Sequence, residues 1–181
     1  MKVLVLLTSL LCLVISPLRS AQTGAKYAAE DGMFSFSIPE GWVLREIPGR
    51  KYKVAFAATA DGFAPNINVV DEAFSGALDI YVDGNLKVMA EGYEKLGFKN
   101  FKVLNRETFT TTTKQSGIRL ITQSEANGNP IRQTFYFFNG KDGRKLVVTC
   151  TCPAAGGETY DPIFEKSMKT FQSEPAALNR T

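Results

Sequence analysis

Two cysteines one residue apart, Cys150 and Cys152, are the residues whose type and spacing most directly suggest chemistry in this 181-residue sequence. They could form a redox pair, supply half of a metal site or belong to the hydrophobic core. On an extended strand, side chains two residues apart lie on one face and about 7 Å from each other, whereas the Cβ atoms of a disulfide lie about 3.8 Å apart. We therefore expect two unbridged thiols.

The segment around the cysteines, LVVTCTCP, favours a core position for both thiols. Alternation along a strand places them on the same face as Leu146 and Val148, and free cysteine is among the most buried residue types. A thiolate metal site would need further nitrogen or sulfur ligands, but the chain has no histidine, and its other cysteine, Cys12, lies in an expected signal peptide. No metal or cofactor is expected. A redox or metal role, or a strained or intermolecular disulfide, is the less favoured interpretation.

The absence of histidine excludes several reaction types. It removes nucleophiles activated by histidine, the HExxH zinc site and any histidine general base. Two carboxylates about 5 to 10 Å apart could still support glycoside hydrolysis, and the candidate acids are Asp71, Glu72, Asp79 and Asp83. The favoured interpretation of Asp79 and Asp83 is a solvated pair near a helix N-terminus. The main expectation is therefore a protein that is not an enzyme, with a carboxylate-dependent hydrolase as the alternative.

Two groups of basic residues mark the ends of predicted hairpins and could meet an anionic partner or a lipid headgroup. The first group contains Arg45, Arg50, Lys51 and Lys53, and the second contains Lys141, Arg144 and Lys145. Charged hairpin ends are more often simply solvated. Within the first group, Arg50, Lys51 and Lys53 are the candidate binding residues.

Trp42, the only tryptophan in the chain, follows the turn sequence PEG. The favoured interpretation is a core residue that seals the edge of a sheet, and the alternative is a contact with a ligand or partner. We include Trp42 among the candidate binding residues on the second interpretation.

Residues 1–25 have the layout of a secretory signal peptide. A short basic start precedes an apolar run from Val3 to Ile15, which is shorter than the about 20 residues of a spanning helix. Without Lys2 and Arg19, 19 of the 21 basic residues remain against 18 acidic ones, and so small an excess does not suit nucleic-acid binding. We expect an exported, periplasmic or extracellular protein that could associate with a membrane but does not span it. A lipid anchor on Cys12 is a less favoured alternative.

The first half of the mature chain predicts short strands followed by one long helix. The segments MFSFSI, WVLRE, YKVAFAA and NINVVDEAF are typical of strands. An apolar stripe at helical spacing then follows, formed by Leu78, Val82, Leu86, Met89, Tyr93 and Leu96. Ser75 is the predicted N-cap of this helix, and Gly97 is predicted to end it.

The second half predicts an antiparallel meander and a closing helix. The strand segments are FKVLNRE, TFTTTT, GIRLITQSEA, IRQTFYFF and KLVVTCTC, and several are separated by turn dipeptides such as Asn127-Gly128 and Asp142-Gly143. In IRQTFYFF both faces carry aromatic residues, so this strand is expected to be central and covered on both sides. The final helix is predicted from the segment YDPIFEKSMKTF, with Asp161 as cap and Pro162 as first residue. Residues 26–173 should form one domain, and residues 174–181 a polar tail.

FSFSIPEGW, the helix LDIYVDGNLKVMAEGYEKLG and the closing VVTCTCP with YDPIFEKSMKTF together resemble the PsbP-like superfamily. This group includes extrinsic subunits of photosystem II, DcrB-type bacterial envelope proteins and a nuclear Ran-binding protein. The resemblance covers nearly all of the mature chain. It implies an α+β fold in which an antiparallel β-sheet is flanked by helices, an α/β/α sandwich, and it implies binding or assembly more than catalysis.

The sequence therefore predicts an exported, non-enzymatic accessory or binding protein of the cell envelope. Its partner would be another envelope protein or a small ligand, contacted through a sheet face or a hairpin end. Fold alone does not supply function, so the predicted site residues have to be placed in three dimensions.

Overall fold

A computed structural model describes residues 24–60 and 62–173 of the chain. The expected signal peptide lies almost entirely outside these residues, and Cys12 and the predicted tail 174–181 lie wholly outside them. None of the helices in the described ranges is long and apolar enough to cross a membrane.

Nine strands and two α-helices are found in the described part of the chain. The strands are β1 (Lys26–Ala28), β2 (Ser35–Ser37), β3 (Val43–Arg45), β4 (Val54–Phe56), β5 (Asn66–Ala73), β6 (Phe98–Thr110), β7 (Ser116–Ala126), β8 (Asn129–Asn139) and β9 (Arg144–Pro153). The helices are α1 (Leu78–Gly92) and α2 (Gly157–Lys169). A seven-stranded antiparallel sheet has the order β3-β4-β5-β9-β8-β7-β6, and β1 pairs with β2 in a separate two-stranded sheet.

The central part of the main sheet is covered on both faces, as the aromatic pattern of β8 predicts. Phe135 and Phe137 belong to the hydrophobic cluster that includes residues of α1. Tyr136 and Phe138 belong to the cluster on the other face, which includes residues of α2 and of the small sheet. All four side chains are buried. The predicted α+β fold with an antiparallel sheet between helices is therefore confirmed.

Two hairpin turns were predicted from dipeptides that tolerate positive φ angles. Asn127 and Gly128 have φ angles of 51° and 79°, and they join β7 to β8. Asp142 and Gly143 have φ angles of 53° and 66°, and they lie between β8 and β9. These turns fix the register that places β8 in the middle of the meander.

The small sheet links the start of the domain to its end. The predicted strand MFSFSI is confirmed as β2, but its partner β1 was not predicted, because three residues are too few to show a period. Ser35 lies on the face predicted to be open, yet it is fully buried, since its backbone exchanges two hydrogen bonds, of 2.8 and 2.9 Å, with Gln172. The ring of Phe171 next to it stacks on Phe138 with ring centres 4.4 Å apart.

The long helix begins and ends differently from the prediction. Its N-cap is Ala77, which offers no side-chain hydrogen bond, so the prediction of Ser75 as cap is wrong. The α-helix ends at Gly92, and a 3-10 turn over Glu94–Leu96 continues the chain. The α-helix therefore ends five residues before the predicted stop at Gly97. Gly97 instead ends the 3-10 turn, where it adopts φ 84°, a conformation that glycine adopts without strain.

The closing helix begins five residues earlier than predicted. It starts at Gly157, so Pro162 lies inside the helix and Asp161 does not cap it. The Asp161 carboxylate instead accepts hydrogen bonds from Arg132 on β8, with a shortest distance of 2.6 Å. This ion pair ties the helix to the sheet and could not be read from local sequence.

The segment FKVLNRE and the start of TFTTTT, as far as Thr110, form one continuous strand, β6, at the edge of the main sheet. The register against β7 shifts between Lys99 and Lys102 and again between Val103 and Asn105. These two bulges interrupt the alternation that would have identified a single strand in the sequence.

A substitution of Phe138 tests whether both faces of the main sheet are packed into a core. Phe138→Ala removes a fully buried ring and should lower the free energy of unfolding by about 3 to 5 kcal/mol, measured by urea denaturation. Ile80→Ala is the control, because this side chain is 64% exposed, and it should change stability by no more than about 0.5 kcal/mol. Equal losses for the two variants would contradict the assignment of the core.

Candidate functional site

A cleft of about 670 Å³ opens between the loop that joins β3 to β4 and the segment that joins β1 to β2. Its walls are residues 46–53 of the first loop, together with Tyr27, Glu30 and Asp31. The structure therefore brings three of the four predicted binding residues, Arg50, Lys51 and Lys53, into one concave surface.

The local sequence IPGR shapes the loop that carries these cations. Gly49 adopts φ 78°, and the Arg50 N–H donates to the Ile47 carbonyl at 3.0 Å, which closes a tight turn. Proline and glycine at adjacent positions favour such a turn. The turn places Arg50 at the point where the chain reverses toward Lys51.

Lys51 is fully occupied by contacts within the protein. Its Nζ lies 3.0 Å from the Asp31 carboxylate and 3.1 Å from the Asp71 carboxylate, and it lies over the Tyr52 ring. Burial alone would lower the pKa of Lys51, but its hydrogen bonds to Tyr52, Asp31 and Asp71 raise it well above its ordinary value. Lys51 therefore remains a cation that holds the two sides of the cleft together.

Asp31 is one of the two carboxylates that accept the contact from Lys51. Its oxygens accept hydrogen bonds from the Met33 N–H at 3.1 Å and the Tyr52 hydroxyl at 2.9 Å, in addition to Lys51. Burial alone would raise the pKa of Asp31, but the hydrogen bonds outweigh it and hold the pKa below its ordinary value. The carboxylate is therefore kept charged.

Lys53 is also paired. Its Nζ lies 3.2 Å from the Glu46 carboxylate and 3.9 Å from that of Glu30, both at the rim of the cleft. Its backbone N–H donates to the Tyr27 hydroxyl at 3.2 Å. These contacts join the loop to β1.

Arg50 differs from its two neighbours. Within the residues that the structure describes, it forms no ion pair, whereas Lys51 and Lys53 each contact two carboxylates. Burial lowers the pKa of Arg50, and no acidic residue in the described part of the chain counteracts that effect. A partly buried guanidinium in a concave wall can bind a carboxylate or phosphate through two parallel hydrogen bonds.

Trp42 does not line the cleft. It is 6% exposed and packs edge-on against Phe164 of α2, with ring centres 5.9 Å apart. This placement agrees with the interpretation of Trp42 as a core residue and separates it from the other three candidates.

The four acids of the predicted cluster do not all contact the same partner. Asp79 and Asp83 are 78% and 62% exposed, and both form ion pairs with Arg106 on β6. The Glu72 carboxylate accepts a hydrogen bond from the Tyr81 hydroxyl at 2.7 Å. The two aspartates are solvated as predicted, but their common partner was missed because it lies 23 or more residues away.

Asp71 does not belong with the acidic residues Asp79 and Asp83, with which the sequence grouped it. Its side chain is 4% exposed and pairs with Arg144 of β9 and with Lys51 of the cleft loop. Asp71 therefore supports the cleft from behind and does not form a dyad with Asp79 or Asp83. Its position on β5 opposite β9 could be recognised only once the strand order was known.

The cysteines lie in the core, as predicted. Cys150 and Cys152 are unbridged and fully buried, in the cluster beneath α2. Burial raises the pKa of Cys150 well above its ordinary value and raises that of Cys152 to about 12. No group of three or more acidic or cysteine side chains in the described residues could hold a metal ion.

No protein-family model matches this sequence, and no curated protein sequence matches it. Solved structures do. The solution structure of cyanobacterial PsbP (CyanoP) from Synechocystis sp. PCC 6803 is similar, with a TM-score of 0.62 and 12% identity over 88% of this chain and 98% of that one.

Two further solved structures share the architecture. The Ran-binding protein Mog1p of Saccharomyces cerevisiae has a TM-score of 0.57 and 12% identity over 85% of this chain and 96% of that one. LpqN of Mycobacterium tuberculosis, described as involved in cell envelope biogenesis, has a TM-score of 0.55 and 13% identity over 88% and 90%. At these identities the likeness establishes the fold, and the predicted resemblance to PsbP-like proteins is confirmed at that level.

The burial of the thiols can be tested by labelling. In a chain with Cys12→Ser, both remaining thiols should react with a maleimide or disulfide reagent at pH 8 only after unfolding, because the folded state keeps them neutral and enclosed. Ser75→Cys, at an exposed position, is the control and should label in the folded state. Labelling of Cys150 or Cys152 at the rate of this control would contradict the core assignment.

The contacts of Asp31 predict an acid-dependent stability. Its pKa is lower in the folded state than its ordinary value of 3.8, so the unfolded chain takes up the proton first. The stabilisation should be complete above this value and should be lost as the pH falls through the folded-state pKa. Urea denaturation across this range should show a flatter acid dependence for Asp31→Asn than for the wild type. Glu40→Gln, at an exposed position, should follow the wild-type curve, and an unchanged curve for Asp31→Asn would refute the prediction.

Proposed function

We propose that this chain is an exported, non-enzymatic binding protein of the cell envelope that contacts a partner protein or small ligand through the cleft beside Arg50. The observation that carries the proposal is the difference between three adjacent cations. Lys51 and Lys53 are held by carboxylates of the protein itself, whereas Arg50 has no carboxylate partner among residues 24–60 and 62–173.

The physical argument concerns the cost of desolvation. Arg50 is partly buried in the wall of the cleft, and a buried charge without a partner is unfavourable until an anion approaches it. The turn at Gly49 and the ion pairs of Lys51 fix the surrounding loop, so little ordering is needed on binding. A carboxylate or phosphate group is therefore the feature of a ligand that this cleft would recognise.

The comparisons support a binding role without identifying the ligand. Mog1p is described as Ran-binding and LpqN as involved in envelope biogenesis, and neither description names a reaction. The signal-like sequence of residues 1–25 supports export. Membrane association without a spanning helix is compatible with this proposal.

The two enzymatic or redox alternatives have less support. The four acids of the predicted cluster contact four partners within the protein, namely Arg106, Tyr81, Arg144 and Lys51. None of the four acids lines the cleft, where a glycoside hydrolase would need its two carboxylates. The thiols are enclosed and neutral, whereas reactive cysteines are accessible thiolates.

Site-specific crosslinking tests the proposed contact surface. Ile47 lines the cleft, and a photoreactive phenylalanine at this position should crosslink to a partner in envelope fractions from the native organism. The same group at Ile80, which is exposed on α1, is the control and should not give that product.

Arg50→Gln should reduce the Ile47 crosslink about tenfold, because arginine at the centre of a contact commonly contributes about 1.4 kcal/mol or more. Lys141→Gln, at an exposed hairpin end, should leave it unchanged. An equal yield from positions 47 and 80, or a yield insensitive to Arg50→Gln, would refute the proposal.

A further inference from the structure

Two charged side chains of opposite sign, one on each wall of the cleft, lack a close partner in the described part of the chain. Arg50 lies in the loop between β3 and β4, and it forms no ion pair with residues 24–60 or 62–173. Glu30 lies in the segment between β1 and β2. Its carboxylate is 88% exposed, and its contact with the described residues is the one to Lys53, at 3.9 Å.

Lys53 belongs more closely to another carboxylate than to that of Glu30. Its Nζ lies 3.2 Å from the Glu46 carboxylate, on its own wall of the cleft. The hydrogen bond to Glu46 is also the main cause that raises the pKa of Lys53. One ammonium group therefore faces two carboxylates, and one negative charge is left over on the side of Glu30.

The remaining charges at the cleft cancel one another. Lys51 contacts Asp31 and Asp71, and Arg144 also contacts Asp71, which gives two positive and two negative charges. The lining itself contains three acidic and three basic residues. A surface without net charge does not attract anions over a distance, so the positions of the two leftover charges decide which ligand fits.

Arg50 and Glu30 do not neutralise each other, because no ion pair joins them across the cleft. The space between the walls, about 670 Å³, lies within the range of about 300 to 1,000 Å³ that small-molecule sites occupy. A ligand with a negative charge alone would satisfy Arg50 and approach the carboxylates of the facing wall. A ligand with a positive charge alone would meet the opposite difficulty, and a ligand with both charges would meet neither.

We infer that the cleft binds a small zwitterion, with its carboxylate or phosphate group on Arg50 and its ammonium group on Glu30. This inference rests on the proposed function of the cleft and names the class of its ligand. The same pair of charged groups occurs in a free amino acid or phosphoethanolamine and in the headgroup of an ethanolamine phospholipid.

The two contacts should differ in strength. Arg50 is partly buried and can form two parallel hydrogen bonds with an oxyanion, so its loss should weaken binding about tenfold. Glu30 is exposed, and exposed ion pairs contribute little, so the ammonium contact should improve binding by up to about fivefold.

A series of ω-amino acids provides the test. The probes are the straight-chain compounds from glycine to 6-aminohexanoate, each paired with the carboxylate of the same length that has no amino group. Added to the full chain, they should shift amide signals of residues 46–53 and of Glu30. One length should fit the distance between the two walls best, and at that length the amino acid should bind about fivefold more tightly than the plain carboxylate.

Two single substitutions separate the contacts. Glu30→Gln should abolish the advantage of the amino acid and leave the affinity for the plain carboxylate unchanged. Arg50→Gln should weaken both ligands about tenfold. The control is Glu40→Gln, at an exposed position that does not line the cleft, and it should retain the wild-type affinities.

Vesicles distinguish a lipid headgroup from a free ligand. If the ligand is a headgroup, the full chain should sediment with vesicles of phosphatidylethanolamine more than with vesicles of phosphatidylglycerol, and Glu30→Gln should reduce this preference. If the ligand is free, phosphoethanolamine and the amino acids should bind, and neither kind of vesicle should. Stronger binding to phosphatidylglycerol would overturn the inference.

The inference also fails if the plain carboxylates bind as tightly as the amino acids, if Glu30→Gln leaves the difference intact, or if none of the probes binds. The proposed function can survive these results, because the crosslink from Ile47 and its dependence on Arg50 test the contact surface without any assumption about an ammonium group.

Discussion

The two apolar faces of β8 are the constraint on which the remaining structure depends. A strand with aromatic residues on both sides is stable in water only when each side is covered, and the burial of Phe137 and Tyr136 on opposite faces shows that this requirement is met. The helix α1 covers one face. The other face needs both α2 and the two-stranded sheet, so elements far apart in sequence are brought into one layer.

The polar surroundings of the cleft follow from that arrangement. Asp71 lies on β5 next to β9, where the sheet leaves its side chain almost enclosed. A carboxylate in such a place is unfavourable unless it is paired, and Arg144 and Lys51 supply the pairs. Because Lys51 also binds Asp31, the cleft loop is fastened to the sheet and to the segment after β1. Arg50 lies in the same loop but forms no ion pair within the described residues, and this distinguishes it from Lys51 and Lys53.

Sequence periodicity was sufficient for the elements that bury a regular pattern. The stripe of α1, the aromatic faces of β8 and the glycine-containing turns were predicted because each is determined by neighbours in the chain. The failures occurred where a distant residue decides the outcome. Asp161 pairs with Arg132 instead of capping a helix, Asp71 supports the cleft instead of an acidic dyad, and β6 is continuous because β7 accommodates its bulges. For the site, the sequence indicated the cluster of Arg50, Lys51 and Lys53. It could not show that the two lysines form ion pairs with carboxylates of the protein.

The pairing of Ser35 with Gln172 has a consequence for the way the domain forms. The strand β2 gains two backbone hydrogen bonds from Gln172, near the C-terminal end of the described residues, and the ring of Phe171 completes the stack over Phe138. Contacts between such widely separated positions carry a large loop-closure entropy and slow the folding reaction. During synthesis, the layer beneath α2 therefore stays open to solvent until α2 and the residues that follow it, as far as Gln172, have been made.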